Sequence, residues 1–210
     1  MNNKWNERYS SEEYVYGKEP NRFFKEFIDT HEPEKILLPA EGEGRNAVYA
    51  AGKGWDVTAF DFSEEGRKKA MRLAREMDVE FRYEIFDLTH FLCGNNMYDS
   101  VGLFFVHMSP ELRRKFHKAL TNCLKPGGYL VLEAFNKRQI RNSSGGPNDV
   151  NMLFSMDELR GDFGELNIQI LEELVQHFET GVLHRGEAET IRLLAQKNVR
   201  RKRGDVRREN

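Results

Sequence analysis

Long hydrophobic runs are missing from this chain: no apolar stretch approaches the roughly 20 residues that a bilayer-spanning helix requires. The start, Met1-Asn2-Asn3-Lys4-Trp5, also lacks the apolar segment of a signal peptide. Cysteine is scarce. Cys93 and Cys123 are the only two, their spacing suits neither a metal site nor a redox motif, and one pair makes a poor disulfide framework. A reduced, cytoplasmic setting with no membrane contact is therefore expected. An excess of charge of one sign is absent as well, since the net charge is −2. That near-neutrality hides an uneven spread: residues 197–210 carry +5, which leaves −7 on the remainder. An acidic body argues against a nucleic-acid surface on the fold, and the basic stretch 198–210 reads as a frayed, solvated tail. There is no internal repeat, no Ser-His-Asp constellation and no phosphate-binding P-loop. The pattern does not fix an oligomeric state.

The 210 residues suffice for one sizeable core and are too few for a second full domain of usual size. After an aromatic, polar segment from Trp5 to Pro20, residues 21–29 place Phe23, Phe24, Phe27 and Ile28 on one helical face. Strands are expected at 35–39, 55–61, 81–86 and 98–106, and helices from 44 to 53 and after Ser63 with Ala70, Leu73, Ala74 and Met77 inward. Ser109-Pro110-Glu111 supplies an N-cap, an N1 proline and a first-turn acid. The buried stripe of that helix is Leu112, Phe116, Ala119, Leu120, Cys123 and Leu124. Pro126-Gly127-Gly128 then turns the chain into a strand at 129–135. Such alternation implies a mostly parallel sheet covered on both faces. Residues 136–151 are polar and rich in Gly, Ser and Asn and read as a surface loop, followed by a short helix near 155–159. Two closing strands, 168–178 and 189–196, are joined by a short link and must pair antiparallel.

The most informative stretch lies between the first two strands. Ala40-Glu41-Gly42-Glu43-Gly44-Arg45-Asn46 forms a glycine-containing turn into a helix, and the second strand ends in Asp61, 17 residues after Gly44. Open α/β sheets build nucleotide sites in this way: glycines admit the ligand to the backbone, a helix start offers N–H groups, and the acid accepts hydrogen bonds from ribose. Gly42 to Ala47 matches the dinucleotide fingerprint, which keeps an NAD-dependent oxidoreductase open as an alternative. Glu41 and Glu43 count against it, because a pyrophosphate needs positive surroundings. S-adenosylmethionine has an adenosine but no phosphate, and its sulfonium and amino groups are cationic, so acidic surroundings favour it.

The element order, Gly42, Gly44, Asp61, Asp87 and the Leu124-Lys125-Pro126-Gly127-Gly128 turn resemble a class I S-adenosylmethionine-dependent methyltransferase. Trp5 to Tyr9 and the segment Tyr14-Val15-Tyr16-Gly17-Lys18-Glu19-Pro20 look like the small tellurite-resistance and thiopurine-type members. The resemblance implies a Rossmann-like, seven-stranded, mostly parallel sheet with helices on both faces and a C-terminal antiparallel hairpin. It implies a cofactor-covering segment at 1–20, one domain at 21–197, and methyl transfer to a small-molecule acceptor. Two positions depart from the family pattern. Ala40 stands for its first glycine, and alanine cannot take a glycine-only conformation at no cost; Leu38 stands for its strand-one acid, so water or Glu41 has to meet the methionine amino group.

For the cofactor, the resemblance points to Ala40, Glu41, Gly42, Gly44 and Asn46 in the turn, and to Asp61 at the ribose. Asp87 would meet the adenine amino group, with Leu88 and Phe62 packing on the ring and Phe105 at the end of strand four. Tyr14 and Tyr16 would close over the sulfonium. Each residue has a plainer reading as well: Asp61 as a helix-start acid, Asp87 as a cap of 88–92, Phe62 as core, and Tyr14 and Tyr16 as staples of the N-terminus. His107, also after strand four, is the one candidate for orienting or deprotonating an acceptor; the alternative is that it positions the helix start at Ser109. Glu133 and the 136–151 loop would border the acceptor. His177 and His184 lack partners at metal spacing and read as surface residues. A scaffold or sensor that binds the cofactor without turnover is the remaining alternative.

Overall fold

A computed structural model describes residues 2–199. Helix α1 (Asn2–Tyr9) and a turn-rich segment lead to α2 (Arg22–Thr30). An alternating series follows: β1 (Lys35–Pro39), α3 (Arg45–Gly52), β2 (Asp56–Asp61), α4 (Glu64–Glu76), β3 (Arg82–Ile85), β4 (Tyr98–Phe104), α5 (Pro110–Cys123) and β5 (Leu124–Phe135). Helix α6 (Met156–Phe163) and the long hairpin β6 (Asn167–Thr180) and β7 (His184–Gln196) complete the chain. The seven strands lie in the order β3-β2-β1-β4-β5-β7-β6. The first five are parallel, and β7 runs antiparallel to both β5 and β6.

The side-chain period of two explains the layers. In β1, Leu37 faces the cluster built with Phe116, Leu120, Leu159 and Phe163 of α5 and α6. Its neighbours Ile36 and Leu38 face Phe24, Phe27, Ala47 and Ala70 of α2, α3 and α4. The unbroken apolar run at 36–39 is thus what a two-sided burial demands. Leu38 is fully buried in the second cluster.

Several expectations need correction. The N-terminal segment contains a helix, α1, that packs on α4, with Ser63 Oγ donating to Asn6 Oδ1 at 2.7 Å. Met77 does not face inward: it follows the last turn of α4 and is 61% exposed. Strand β4 stops at Phe104, because Phe105 turns to φ 57. Strand β5 begins at Leu124 instead of Tyr129, with a register shift against β4 at the glycines. There a Cβ on Gly128 would lie 2.6 Å from the Asp99 carbonyl oxygen, and Lys125 pairs with Asp99 at 2.8 Å. The Leu124–Gly128 turn therefore serves the N-terminal edge of the sheet, opposite the end where ligands of such sheets bind. Strand β7 starts at His184, five residues early. The 136–151 stretch is tied down on β7: the buried Gln139 accepts from the Glu189 N–H at 2.7 Å, and Ser144 Oγ donates to the Glu187 carbonyl. Cys93 and Cys123 are joined in a disulfide with their Cα atoms 5.7 Å apart. That removes the cysteine argument for a reducing compartment. No helix among the described residues is long and apolar enough to cross a membrane. The basic tail falls at 200–210 outside the described residues, apart from Asn198 and Val199.

Candidate active site

In an open α/β sheet the ligand crevice lies beyond the C-terminal strand ends where the strand order reverses, and here that point is between β1 and β4. Both strands leave the sheet through a left-handed residue, Ala40 at φ 52 after β1 and Phe105 at φ 57 after β4. For residues with a Cβ this conformation costs energy, and strain of this kind concentrates at working sites. Two sharp exits side by side open the crevice.

The turn after Ala40 is built from carboxylates. Glu41 Oε1 accepts the N–H groups of Asn46 and Ala47 at 2.8 and 2.7 Å, and so caps α3. Burial pushes the Glu41 carboxyl up to about 7 against the pull of those N–H groups. The start of α3 therefore offers no free N–H at these two positions. This filling of the helix start, and not only charge, disfavours a pyrophosphate there. Glu43 is likewise occupied. It forms a buried ion pair with Lys69 at 2.6 Å and accepts the N–H groups of Val15 and Tyr16 at 3.1 and 3.3 Å. The two glutamates thus do not present bare negative charge to a ligand, which corrects the electrostatic argument drawn from them. Gly44, at φ 85, would place a Cβ 2.5 Å from that of Ala70, so glycine there is required by conformation and by the packing of α3 on α4.

Asp61 at the end of β2 is 6% exposed. One oxygen accepts the Gly42 N–H at 3.1 Å and the other the Ser63 N–H at 2.8 Å, tying the glycine turn to the start of α4. Burial raises its carboxyl to about 6. Two carboxylate oxygens have about four acceptor positions, so capacity remains for ribose hydroxyls. Phe62 follows it, partly exposed. Asp87 caps the 3₁₀ turn Leu88–His90 by accepting the Thr89 N–H at 2.9 Å, and Leu88 packs against the first core cluster.

Other candidates are held by the protein itself. Asn46 Oδ1 accepts the Asn21 N–H at 2.8 Å, while Asn21 caps α2. Tyr14 is buried with Val48, Leu73 and Ala74, and its hydroxyl donates to the Lys69 carbonyl at 3.0 Å. His107 has both ring nitrogens engaged: Nδ1 pairs with the Met152 carbonyl at 2.9 Å, and Nε2 accepts from the Phe135 N–H at 3.3 Å. Burial lowers its pKa to about 4. Glu133 is bound to Arg192 and Gln176, each at 2.8 Å. Tyr16, in contrast, stays partly exposed, with its ring 4.5 Å from that of His184 and its hydroxyl accepting from Arg8 at 2.9 Å.

Sequence reasoning missed a group that tertiary structure assembles. His184 is no surface residue; it is 5% exposed, stacks on Phe178 and meets Phe105 and Phe135. Burial, reinforced by Arg45 and Arg8, lowers its pKa to about 3. Tyr9 lies under Gly42, and Tyr83 Oη donates to the Gly42 carbonyl at 2.6 Å. Of these, Arg45 opens the helix after the glycine turn and Arg8 and Tyr9 fall in the aromatic stretch at 5–9, whereas nothing in the sequence pointed to His184 or Tyr83. His177 is exposed as expected. Among the described residues no cluster could hold a metal ion.

Comparison with known proteins agrees with the fold. Residues 36–128 match the family model of the methyltransferase domain. Comparison with curated proteins gives no significant match. Among solved structures, the fold is similar to one described for conversion of a disulfide bond into a thioacetal group during echinomycin biosynthesis (TM-score 0.75, 15% identity, 96% of this chain and 94% of that one). It is similar to TehB from Haemophilus influenzae (TM-score 0.70, 16% identity, 94% and 67%). It also resembles the N-methyltransferase NodS from Bradyrhizobium japonicum, solved with S-adenosylhomocysteine (TM-score 0.70, 11% identity, 93% and 97%). The fold is that of the S-adenosylmethionine-dependent methyltransferases, and S-adenosylmethionine is the cofactor that the domain match and these neighbours imply.

Proposed function

We propose that the protein transfers the methyl group of S-adenosylmethionine to a small-molecule acceptor by in-line displacement. The observation that carries this reading is the joint placement, at the strand-order reversal, of the glycine turn, the buried Asp61 and the two left-handed strand exits. The cofactor, when bound, supplies a sulfonium methyl group that is already a reactive electrophile. The protein's task is then to position the two partners and exclude water. Asp61 accepts from the ribose hydroxyls with the acceptor positions left over from Gly42 and Ser63. Leu88 and Phe62 bound the adenine end, with Asp87 fixing the turn that carries Leu88. Residues 10–20 cross the crevice between α4 and the β6–β7 turn, held by Glu43 on one side and by the Val182 N–H to Val15 carbonyl bond (2.8 Å) on the other. That strap, with the ring of Tyr16, keeps solvent out.

Glu41, Asn46, Tyr14 and His107 enter this scheme as positioning residues, because their polar atoms are spent on the backbone. With both nitrogens of His107 bound, the acceptor is one that needs no base from it: a nucleophile already deprotonated, or one that releases its proton to water. The aromatic wall of Phe105, Phe135, Phe178 and His184 suits an acceptor with apolar or soft character.

Calorimetry with S-adenosylmethionine, S-adenosylhomocysteine and NAD tests the reading: the two sulfur ligands should bind and NAD should not. Asp61→Ala should weaken S-adenosylhomocysteine by about 1–3 kcal/mol if the ribose hydrogen bonds are made. Binding without methyl transfer to any of a broad acceptor panel, followed by mass spectrometry, would favour the sensor alternative.

A further inference from the structure

Arg45 opens α3, immediately after the glycine turn, and its guanidinium is partly buried at the crevice. Among the described residues its guanidinium makes one hydrogen bond, from Nη1 to the Tyr16 carbonyl at 3.0 Å, and has no ion-pair partner. The nearest acids by their influence, Glu41 and Glu133, are committed elsewhere: Glu41 to the N–H groups of α3, Glu133 to Arg192 and Gln176. The well-buried cations of this protein behave differently. Lys69 has Glu43, Arg113 has Asp162, and Arg192 has Glu133, at 2.6, 2.8 and 2.8 Å. A guanidinium has five donors and a permanent charge, and taking it out of water without a counter-ion is costly.

We propose that Arg45 is an anion-binding residue of the crevice, its guanidinium holding a carboxylate or similar oxyanion of a bound ligand. Its surroundings suit that role. Arg8 adds a second cation, its Nη1 on the Tyr16 hydroxyl at 2.9 Å, and it too lacks an acidic partner among the described residues. The charges of both arginines reach His184, whose imidazole stays neutral near pH 7 and so competes with neither for the anion. A planar fork matches a carboxylate in two hydrogen bonds where an ammonium cannot. The anion has two possible sources: the amino-acid carboxylate of S-adenosylmethionine, which rests on the function proposed above, or an acidic group on the acceptor.

Calorimetric titration of the wild-type chain and of Arg45→Gln with S-adenosylhomocysteine and with 5′-methylthioadenosine, which has no amino-acid end, separates the sources. If the cofactor supplies the anion, Arg45→Gln weakens S-adenosylhomocysteine about tenfold or more and methylthioadenosine by less than about twofold, with Arg45→Lys in between. If the acceptor supplies it, Arg45→Gln leaves both nucleosides unchanged. Sodium sulfate, at an ionic strength matched with chloride, then raises the melting temperature of the wild type by more than that of the variant, whose smaller rise is the general salting-out effect of sulfate. Should neither nucleoside bind the wild type, the methyltransferase reading fails, and the sulfate comparison still decides Arg45. A folded Arg45→Gln that matches the wild type in all of these measurements overturns the proposal.

Discussion

Ala40 shows how much one methyl group can hold in a turn. At φ 52 an L-residue costs about 1–2 kcal/mol relative to its ordinary wells. Glycine would remove that strain and give back about 0.5–1 kcal/mol in backbone entropy. Ala40→Gly is therefore expected to stabilise the ligand-free protein by about 0.5–1 kcal/mol, read as a higher urea midpoint; a lower midpoint would show that Ala40 is not strained. His184 permits a test by pH. Its folded pKa, about 3, lies below the ordinary 6.5, so its neutral burial contributes stability above pH 6.5 that is lost as the pH falls toward 3. His107, at about 4, acts with the same sign. Asp61 and Glu41, raised to about 6 and about 7, act with the opposite sign and favour the folded state as acid is added. Burial lowers His117 as well, so in His184→Phe one of three opposing histidines is gone. Its stability relative to the wild type should rise by up to about 1.4 kcal/mol per pH unit below 6.5, measured by urea unfolding at pH 7, 6 and 5. A difference that does not change with pH would refute the assignment.

At the scale of elements, the N-terminal segment is held by a buried charged anchor, Glu43, beside more exposed contacts such as Lys18 with Glu76. Glu43 neutralises Lys69 inside the protein and takes the N–H groups of Val15 and Tyr16, midway along the 10–20 segment. Glu43→Gln leaves the buried Lys69 ammonium unpaired, a change expected to cost about 3–5 kcal/mol. Hydrogen exchange should show the amides of Val15 and Tyr16 losing protection first; protection equal to that of the wild type would mean the strap is held by other contacts. The hairpin β6–β7 completes the same enclosure from the opposite end of the chain. A Cβ on Gly181 in its turn would lie 2.2 Å from the Val15 carbonyl oxygen, so strap and turn touch backbone to backbone.

For the whole molecule, the Cys93–Cys123 disulfide ties the loop after the Asp87 turn to the end of α5, across 30 residues of sequence. Closing a loop of that length is worth about 3.6 kcal/mol in the chain-entropy description. Reduction with dithiothreitol is expected to lower the melting temperature by several degrees, and the same reagent should leave a Cys93→Ser variant unmoved. An equal response from both would show that the bond does not form in solution. The loop carries exposed apolar residues, with Leu92 90% exposed, and is otherwise held by Phe91 on Phe60 and Phe116 and by the Asn96 and Met97 amides on the carbonyls of Asn122 and Cys123.

Much of the fold was legible before any tertiary contact was known. Apolar runs of period two, helical stripes of period 3.6, the side-chain cap at Ser63 and the Ser109-Pro110 helix start, where Ser109 makes no side-chain cap bond, are local signals set by backbone geometry and near neighbours. The position of the glycine turn and of Asp61 was legible for the same reason. What only the tertiary structure decided is how each polar atom is used. Glu41 caps a helix, Glu43 finds Lys69 26 residues on, and His107 gives both nitrogens to the backbone. The aromatic wall around His184 and the unpaired Arg45 come from residues 139 positions apart. A hydrogen bond or an ion pair depends on ångström-scale distance between groups that packing brings together, and no local pattern in the sequence encodes that distance.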